Sequence, residues 1–106
     1  MREFESGATR NSDTNKLDYE GFLNPLVLQR YAQYMHKHTI LEDGTRRESD
    51  NWQKGIPSEQ CLKSLYRHLI ELHLAHRGCE AKESIEDSLC AIIFNAMAYL
   101  LNEQNK

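Results

Sequence analysis

The sequence predicts an all-α fold, a small bundle of about three main helices plus one long functional loop, completed by oligomerisation. Three observations carry that reading. Apolar residues recur at helical spacing over residues 24–38, 58–77 and 86–102. Cap or stop signals bound these stretches. No strand-like alternation is visible anywhere, and no repeat or low-complexity tract interrupts the pattern. The 106 residues make a single domain, 1–106, with a thin core because short chains bury a smaller share of their surface.

Residues 1–19 are polar, rich in Asn, Asp, Ser and Thr, and read as an arm. The first helix opens at Asn24-Pro25, a cap followed by proline where its missing N–H costs nothing. Leu28, Tyr31, Ala32, Met35 and His38 then share one side, as a core face does. His36 and His38 flank Lys37 near the helix end, where they favour the dipole. Residues 39–57 lack a helical pattern and carry turn signals at Asp43-Gly44 and Gly55-Ile56-Pro57. Loops longer than about 12–15 residues in compact domains are usually functional or disordered. Arg46, Arg47, Trp52 and Lys54 give this one cations for phosphate and an aromatic face for stacking. The same residues also suit a solvated loop whose Trp52 plugs the bundle end.

The second helix runs from Ser58, its expected N-cap, to about Arg77, with Gly78 as the stop. Leu62, Leu65, Leu69 and Leu72 form its apolar stripe, flanked by Ser64, His68, Glu71 and Ala75. His68 and Glu71 are i,i+3 neighbours, suited either to two ligands on a metal or to a hydrogen bond. His73 and His76 fall on the apolar side and are expected to be buried or interfacial. The third helix spans Glu86 to about Asn102. Ser84-Ile85-Glu86-Asp87 reads as the Asp variant of a capping box. At about 100° per residue, Asp87, Ala91 and Ala98 share one side with Asn95 at its edge. Leu89, Ile92, Ile93, Ala96, Met97 and Leu100 cover the rest. A carboxylate on a small-residue stripe can hold a metal or phosphate against the bundle interior. The capping role is compatible with it.

Composition narrows the function classes. Net charge is −3, with 13 basic and 16 acidic side chains, so no broad cationic field exists for a nucleic-acid polymer. A local basic cluster still suits one small phosphorylated ligand. Cys61, Cys79 and Cys90 are an odd set without CxxC spacing, so neither a zinc knuckle nor a disulfide framework is supported. Met1–Gly7 lacks an apolar h-region. Leu89–Leu101, the longest apolar run, is interrupted by Asn95 and short of the ~20 residues a membrane span needs. These features predict a reduced, cytoplasmic protein with no membrane association. Gly-rich phosphate loop, GxSxG and HExxH motifs are absent.

Several blocks resemble a known family. They are Phe4-Glu5-Ser6-Gly7-Ala8-Thr9-Arg10, Lys16-Leu17-Asp18-Tyr19-Glu20-Gly21-Phe22-Leu23 and Tyr34-Met35-His36-Lys37-His38. Asp50-Asn51-Trp52-Gln53-Lys54-Gly55-Ile56-Pro57, Arg67-His68-Leu69, His76-Arg77-Gly78 and Leu89-Cys90-Ala91-Ile92-Ile93-Phe94-Asn95 continue the match over nearly the whole chain. The NWxKGIP block is its most specific part. Together they resemble the phage and prophage dATP/dGTP diphosphohydrolases, or MazZ-like proteins, within the MazG-type all-α nucleotide pyrophosphohydrolases. The resemblance implies cleavage of a purine deoxynucleoside triphosphate between the α- and β-phosphates, giving a monophosphate and pyrophosphate, in the host cytoplasm if the chain is phage-encoded. It also implies Mg²⁺ or Mn²⁺ held by paired acids, ExxE and ExxD, on facing helices. Glu71 and Asp87 are the nearest matches, with Glu86 and Glu83 beside them.

Two positions depart from that pattern. His68 stands where a first acid is expected, and Ser84 lies three residues before Asp87. Histidine suits Mn²⁺ better than Mg²⁺. Two functions follow. One is a metal-dependent hydrolase in which Glu71, Asp87 and Glu86 are catalytic and, with His68, bind the metal. The other is a non-catalytic sponge that captures a purine nucleotide or a nucleotide-derived defence signal. Both expect a homo-oligomer, Glu71 facing Asp87 across the two helices, and a ligand held by Arg10, Lys16, Arg46, Arg47, Trp52, Lys54, His68 and Asn95.

Overall fold

In a computed structural model, which describes residues 2–12 and 14–106, the chain is mostly helical. Four α-helices follow one another: α1 (Tyr19–Phe22), α2 (Pro25–Lys37), α3 (Ser58–His76) and α4 (Ile85–Gln104). The three predicted helices are all present, with ends within two residues of those expected. Among the described residues no helix is long and apolar enough to cross a membrane.

The start and stop chemistry explains these bounds. Oδ1 of Asn24 accepts from the N–H groups of Leu26 and Val27 at 2.9 and 3.3 Å, and Pro25 follows at the first helical position. Ser84 Oγ accepts from the Asp87 N–H at 3.1 Å, opening α4. Helix α3 ends in a Schellman turn. Gly78 takes φ +75°, Cys79 N–H donates to the Leu74 carbonyl at 2.8 Å, and Gly78 N–H to that of Ala75 at 3.0 Å. Ser58 is not the N-cap of α3; Pro57 holds that place without a side-chain bond. The Ser58 hydroxyl instead accepts from Asn102 Nδ2 at 3.0 Å, while the same amide donates to the Ile56 carbonyl at 2.6 Å. The end of α4 is thereby tied to the start of α3.

Two segments hold more structure than the sequence predicts. Within the polar lead, β1 (Arg2–Glu3) and β2 (Thr9–Arg10) pair antiparallel, Arg2 with Arg10 and Glu3 with Thr9. Strands of two residues leave no alternation to read. Of the residues 1–19 assigned to that lead, Met1 and Asp13 lie outside the described residues. Residues 39–57 are not structureless either. Ile40 and Arg46 form a β-bridge around the Asp43-Gly44 turn, where Asp43 accepts from the N–H and hydroxyl of Thr45. A 3-10 turn then covers Asn51–Lys54.

Helices α3 and α4 form an antiparallel hairpin whose seam buries small side chains: Cys61, Ser88, Ala91, Asn95 and Ala98. Helix α2 lies across α4, with Tyr34 packed on Cys90 and Ala91 and with Tyr31 and Met35 beside them. The larger apolar residues behave differently from a closed core. Leu28, Leu62, Leu69, Leu89, Ile93, Met97 and Leu100 are all exposed in the single chain. So are His73 and His76, expected to be buried or interfacial; the single chain does not bury them. The radius of gyration, 18.8 Å, exceeds the ~13 Å of a compact globule of this length.

Candidate functional site

A cleft of about 960 Å³ opens between α2, the 39–57 segment and the α3–α4 hairpin. Its size falls within the roughly 300–1,000 Å³ of small-molecule sites. Each wall brings different chemistry. Helix α2 supplies Tyr31, Tyr34 and Lys37, while the 39–57 segment supplies Arg47, Trp52 and Lys54. The hairpin supplies Ser64, His68, Glu83, Asp87, Phe94 and Asn95.

The electrostatics centre on Asp87. Its Oδ1 accepts from a terminal guanidinium nitrogen of Arg30 at 2.7 Å and its Oδ2 from Lys37 Nζ at 3.0 Å. Arg30 Nε donates in turn to Glu86 Oε1 at 2.6 Å. Arg30 and Lys37 are seven residues apart on α2, so both project from one face toward the N-terminus of α4. The Arg30 bond, and after it Lys37, holds the Asp87 carboxyl below its ordinary range. Arg30 is raised in return, chiefly by Asp87 and then Glu86. The chain Glu86–Arg30–Asp87–Lys37 sums to no net charge.

Deeper in, Glu83 Oε1 receives two bonds: His68 Nδ1 at 2.6 Å and Ser88 Oγ at 2.8 Å. One rung further along the seam, Asn95 Nδ2 donates to the Ala91 carbonyl at 2.8 Å and to Ser64 Oγ at 3.2 Å. The Tyr34 hydroxyl is pushed up to about 12 by burial first, then by the nearby Glu83 and Asp87 charges. It therefore stays protonated near neutrality. Trp52 meets Phe94 edge-on, ring centres 5.7 Å apart, which anchors the 39–57 segment to α4 and makes Trp52 a wall of the cleft.

The expected site residues divide into three groups. Arg47, Trp52, Lys54, His68, Asp87 and Asn95 line the one cleft. Arg10 and Lys16 line a separate hollow with Arg2 beside the N-terminal hairpin, and Arg46 sits in the bridge with Ile40. Glu71 does not join Asp87 in the cleft wall: its Oε2 accepts from the Lys82 N–H at 2.8 Å, bracing the α3–α4 connection. Glu86 is exposed and held by Arg30. Several contributors had no assigned role in the sequence, among them Arg30, Lys37, Ser88 and Phe94. Their one legible signal is the i,i+7 spacing of the two cations on the tyrosine-bearing helix.

A divalent cation needs several free oxygen ligands. Here Asp87 is engaged by two cations, Glu71 by a backbone N–H, Glu83 by His68 and Ser88, and Glu86 by Arg30. Among the described residues no three His, Cys, Asp or Glu side chains converge as a metal cluster. In this arrangement both oxygens of Asp87 are engaged, whereas Glu71, Glu83 and Glu86 are each engaged through one oxygen. Compared with models of known families, with curated proteins and with solved structures, the chain matches none.

Proposed function

We propose that the chain binds a purine nucleotide, or a phosphorylated small molecule derived from one, in this cleft. One observation supports the reading above all: Trp52 and Phe94 share a single cleft with Lys37, Arg47 and Lys54. An aromatic face stacks a base, worth roughly 1–3 kcal/mol in single-stranded nucleic acids. Lysine and arginine make charge-assisted bonds to phosphate, about twice as strong as neutral ones. Capture without turnover suits a site whose carboxylates are already engaged by cations and N–H groups.

A second reading keeps the MazZ-like activity: metal-dependent cleavage of a purine dNTP to dNMP and pyrophosphate. It is favoured by Asp87 lining the same cleft at the start of α4, where the resemblance expects an acid. Chromatography of a nucleotide panel, incubated with the protein and Mg²⁺ or Mn²⁺, separates the two. Capture leaves every nucleotide intact but protein-bound. Hydrolysis yields a monophosphate and pyrophosphate. A panel neither bound nor cleaved refutes both.

Lys54 gives a residue-level check. It closes the 3-10 turn beside Trp52 and lines the cleft. Lys54→Ala should weaken a triphosphate more than its monophosphate, by about tenfold, if one charged bond of ~1.5–3 kcal/mol is lost. Calorimetry with both ligands reads this directly. Equal losses would assign Lys54 to folding of the loop, and unchanged affinities would remove it from the site.

A further inference from the structure

A buried ring and an unmet hydroxyl coincide at Tyr34. The residue is 8% exposed, and among the described residues of α2 it alone is buried. Its ring is held from several sides. It packs on Cys90 and Ala91 of α4, the His38 ring lies 4.3 Å away between centres, and Lys37 Nζ sits 5.5 Å from the ring centre. A cation over an aromatic face adds to that hold. The hydroxyl, by contrast, makes no hydrogen bond among the described residues; outside the helix ladder Tyr34 bonds only through its carbonyl, to His38 Nδ1 at 2.9 Å. The phenol oxygen is not sealed off either, and the residue lines the cleft.

Buried tyrosines usually find a partner for the hydroxyl. Phenylalanine would fill the same space between α2 and α4 without that demand, so packing gives no reason for the oxygen. In an open cleft solvent meets it. A ligand that displaces the solvent must supply an acceptor or lose that bond.

The kind of acceptor follows from the surrounding charges. Glu83 and Asp87 stand close enough to hold the phenol proton in place. The same two carboxylates repel a phosphate oxygen. Lys37 offsets them only in part, since its Nζ is already bonded to Asp87 Oδ2 at 3.0 Å. Arg47 and Lys54 line the cleft from the 39–57 segment and have no carboxylate partner among the described residues.

We infer that the Tyr34 hydroxyl binds the nucleoside part of the ligand. It donates to an uncharged oxygen or nitrogen of the sugar or base, while the phosphates gather at Arg47 and Lys54. The inference rests on the nucleotide reading above and deepens it, by separating a neutral end of the cleft from a phosphate end.

Tyr34→Phe removes one oxygen and keeps the ring. Calorimetry with dATP, dAMP and inorganic triphosphate reads where that oxygen acts. The variant should bind dATP and dAMP each about fivefold more weakly than wild type, ~1 kcal/mol for one neutral hydrogen bond. It should bind inorganic triphosphate as wild type does. Without ligand it should melt no lower than wild type, because no bond within the fold is lost. Unchanged affinity for both nucleotides overturns the inference alone. Weaker binding of inorganic triphosphate also overturns it, by placing the hydroxyl on phosphate. So does a melting point lower by more than about 4 °C, which places the hydroxyl's partner within the fold. Failure of the wild-type protein to bind either nucleotide overturns the nucleotide reading and the inference with it.

Discussion

Sedimented at micromolar concentration, this protein should run with the mass of at least two chains. The single chain leaves an apolar strip along each helix of the hairpin. Leu62, Tyr66, Leu69 and Ile70 on α3 recur at i, i+4, i+7 and i+8, and Ile85, Leu89, Ile93 and Leu100 follow one face of α4; all are exposed. At 1.5 Å per residue the strip rises about 12 Å from Leu62 to Ile70 on α3 and about 22 Å from Ile85 to Leu100 on α4. Contiguous apolar patches of this size are rare on monomers. The buried side of the hairpin, by contrast, is made of Cys61, Ser88, Ala91, Asn95 and Ala98, which bring little apolar area to stability. A second hairpin laid on the strip would complete a four-helix arrangement and supply the missing burial. Ile70→Glu together with Leu100→Glu should reduce the mass to one chain, with melting that no longer depends on protein concentration. Both side chains are more than half exposed in the single chain, so the pair costs its own fold little. A wild-type mass of one chain would contradict the expectation.

The parts of this fold that are legible in the sequence are those set by local chemistry. Asn24-Pro25 and Ser84 act within three residues of themselves, and Gly78 marks a backbone turn that needs positive φ. Readings that depend on distant partners fared less evenly. Ser58 looks like a cap, but its hydroxyl answers Asn102, 44 residues away. His68 and Glu71 look like a pair at i,i+3, yet each finds its partner in the returning chain: His68 at Glu83 and Glu71 at the Lys82 N–H. Periodicity marks an apolar face on α3 and α4 but carries no information about what covers it. The cleft shows the same division. Trp52, Lys54, Arg47, His68, Asp87 and Asn95 stand out by residue type, whereas Arg30 is an ordinary surface arginine until α2 docks on α4. Arg10 and Lys16 match by type as well, but the chain places them at the N-terminal hairpin, beside a different hollow.

Asp87→Asn should lower stability and, under the capture reading, raise affinity for phosphate. Asp87 ties α2 to α4 by accepting from Arg30 and Lys37 at 2.7 and 3.0 Å. The amide keeps the shape but removes the charge. After discounting for solvent screening of these half-exposed cations, the loss is about 1 kcal/mol, or a melting point lower by roughly 4–8 °C. Acid should reproduce part of it. The folded-state pKa of Asp87 is depressed, so its contribution is complete above the unfolded value near ~3.9 and is lost as pH falls through the lower, folded one. Wild-type stability, followed by circular dichroism in denaturant, should therefore fall as pH drops below about 4, and Asp87→Asn should flatten that part of the curve. Ligand binding moves the other way. The substitution leaves Arg30 and Lys37 with one fewer counter-charge, and Lys37 lines the cleft. A unit charge about 4 Å away in water is worth ~1 kcal/mol, so inorganic triphosphate should bind roughly fivefold more tightly. A hydrolase that depends on this carboxylate predicts the opposite sign, a collapse of turnover without tighter binding. Calorimetry and the nucleotide panel on the same variant decide between them: tighter triphosphate binding with no cleavage in wild type supports capture, and wild-type cleavage abolished by Asp87→Asn refutes it.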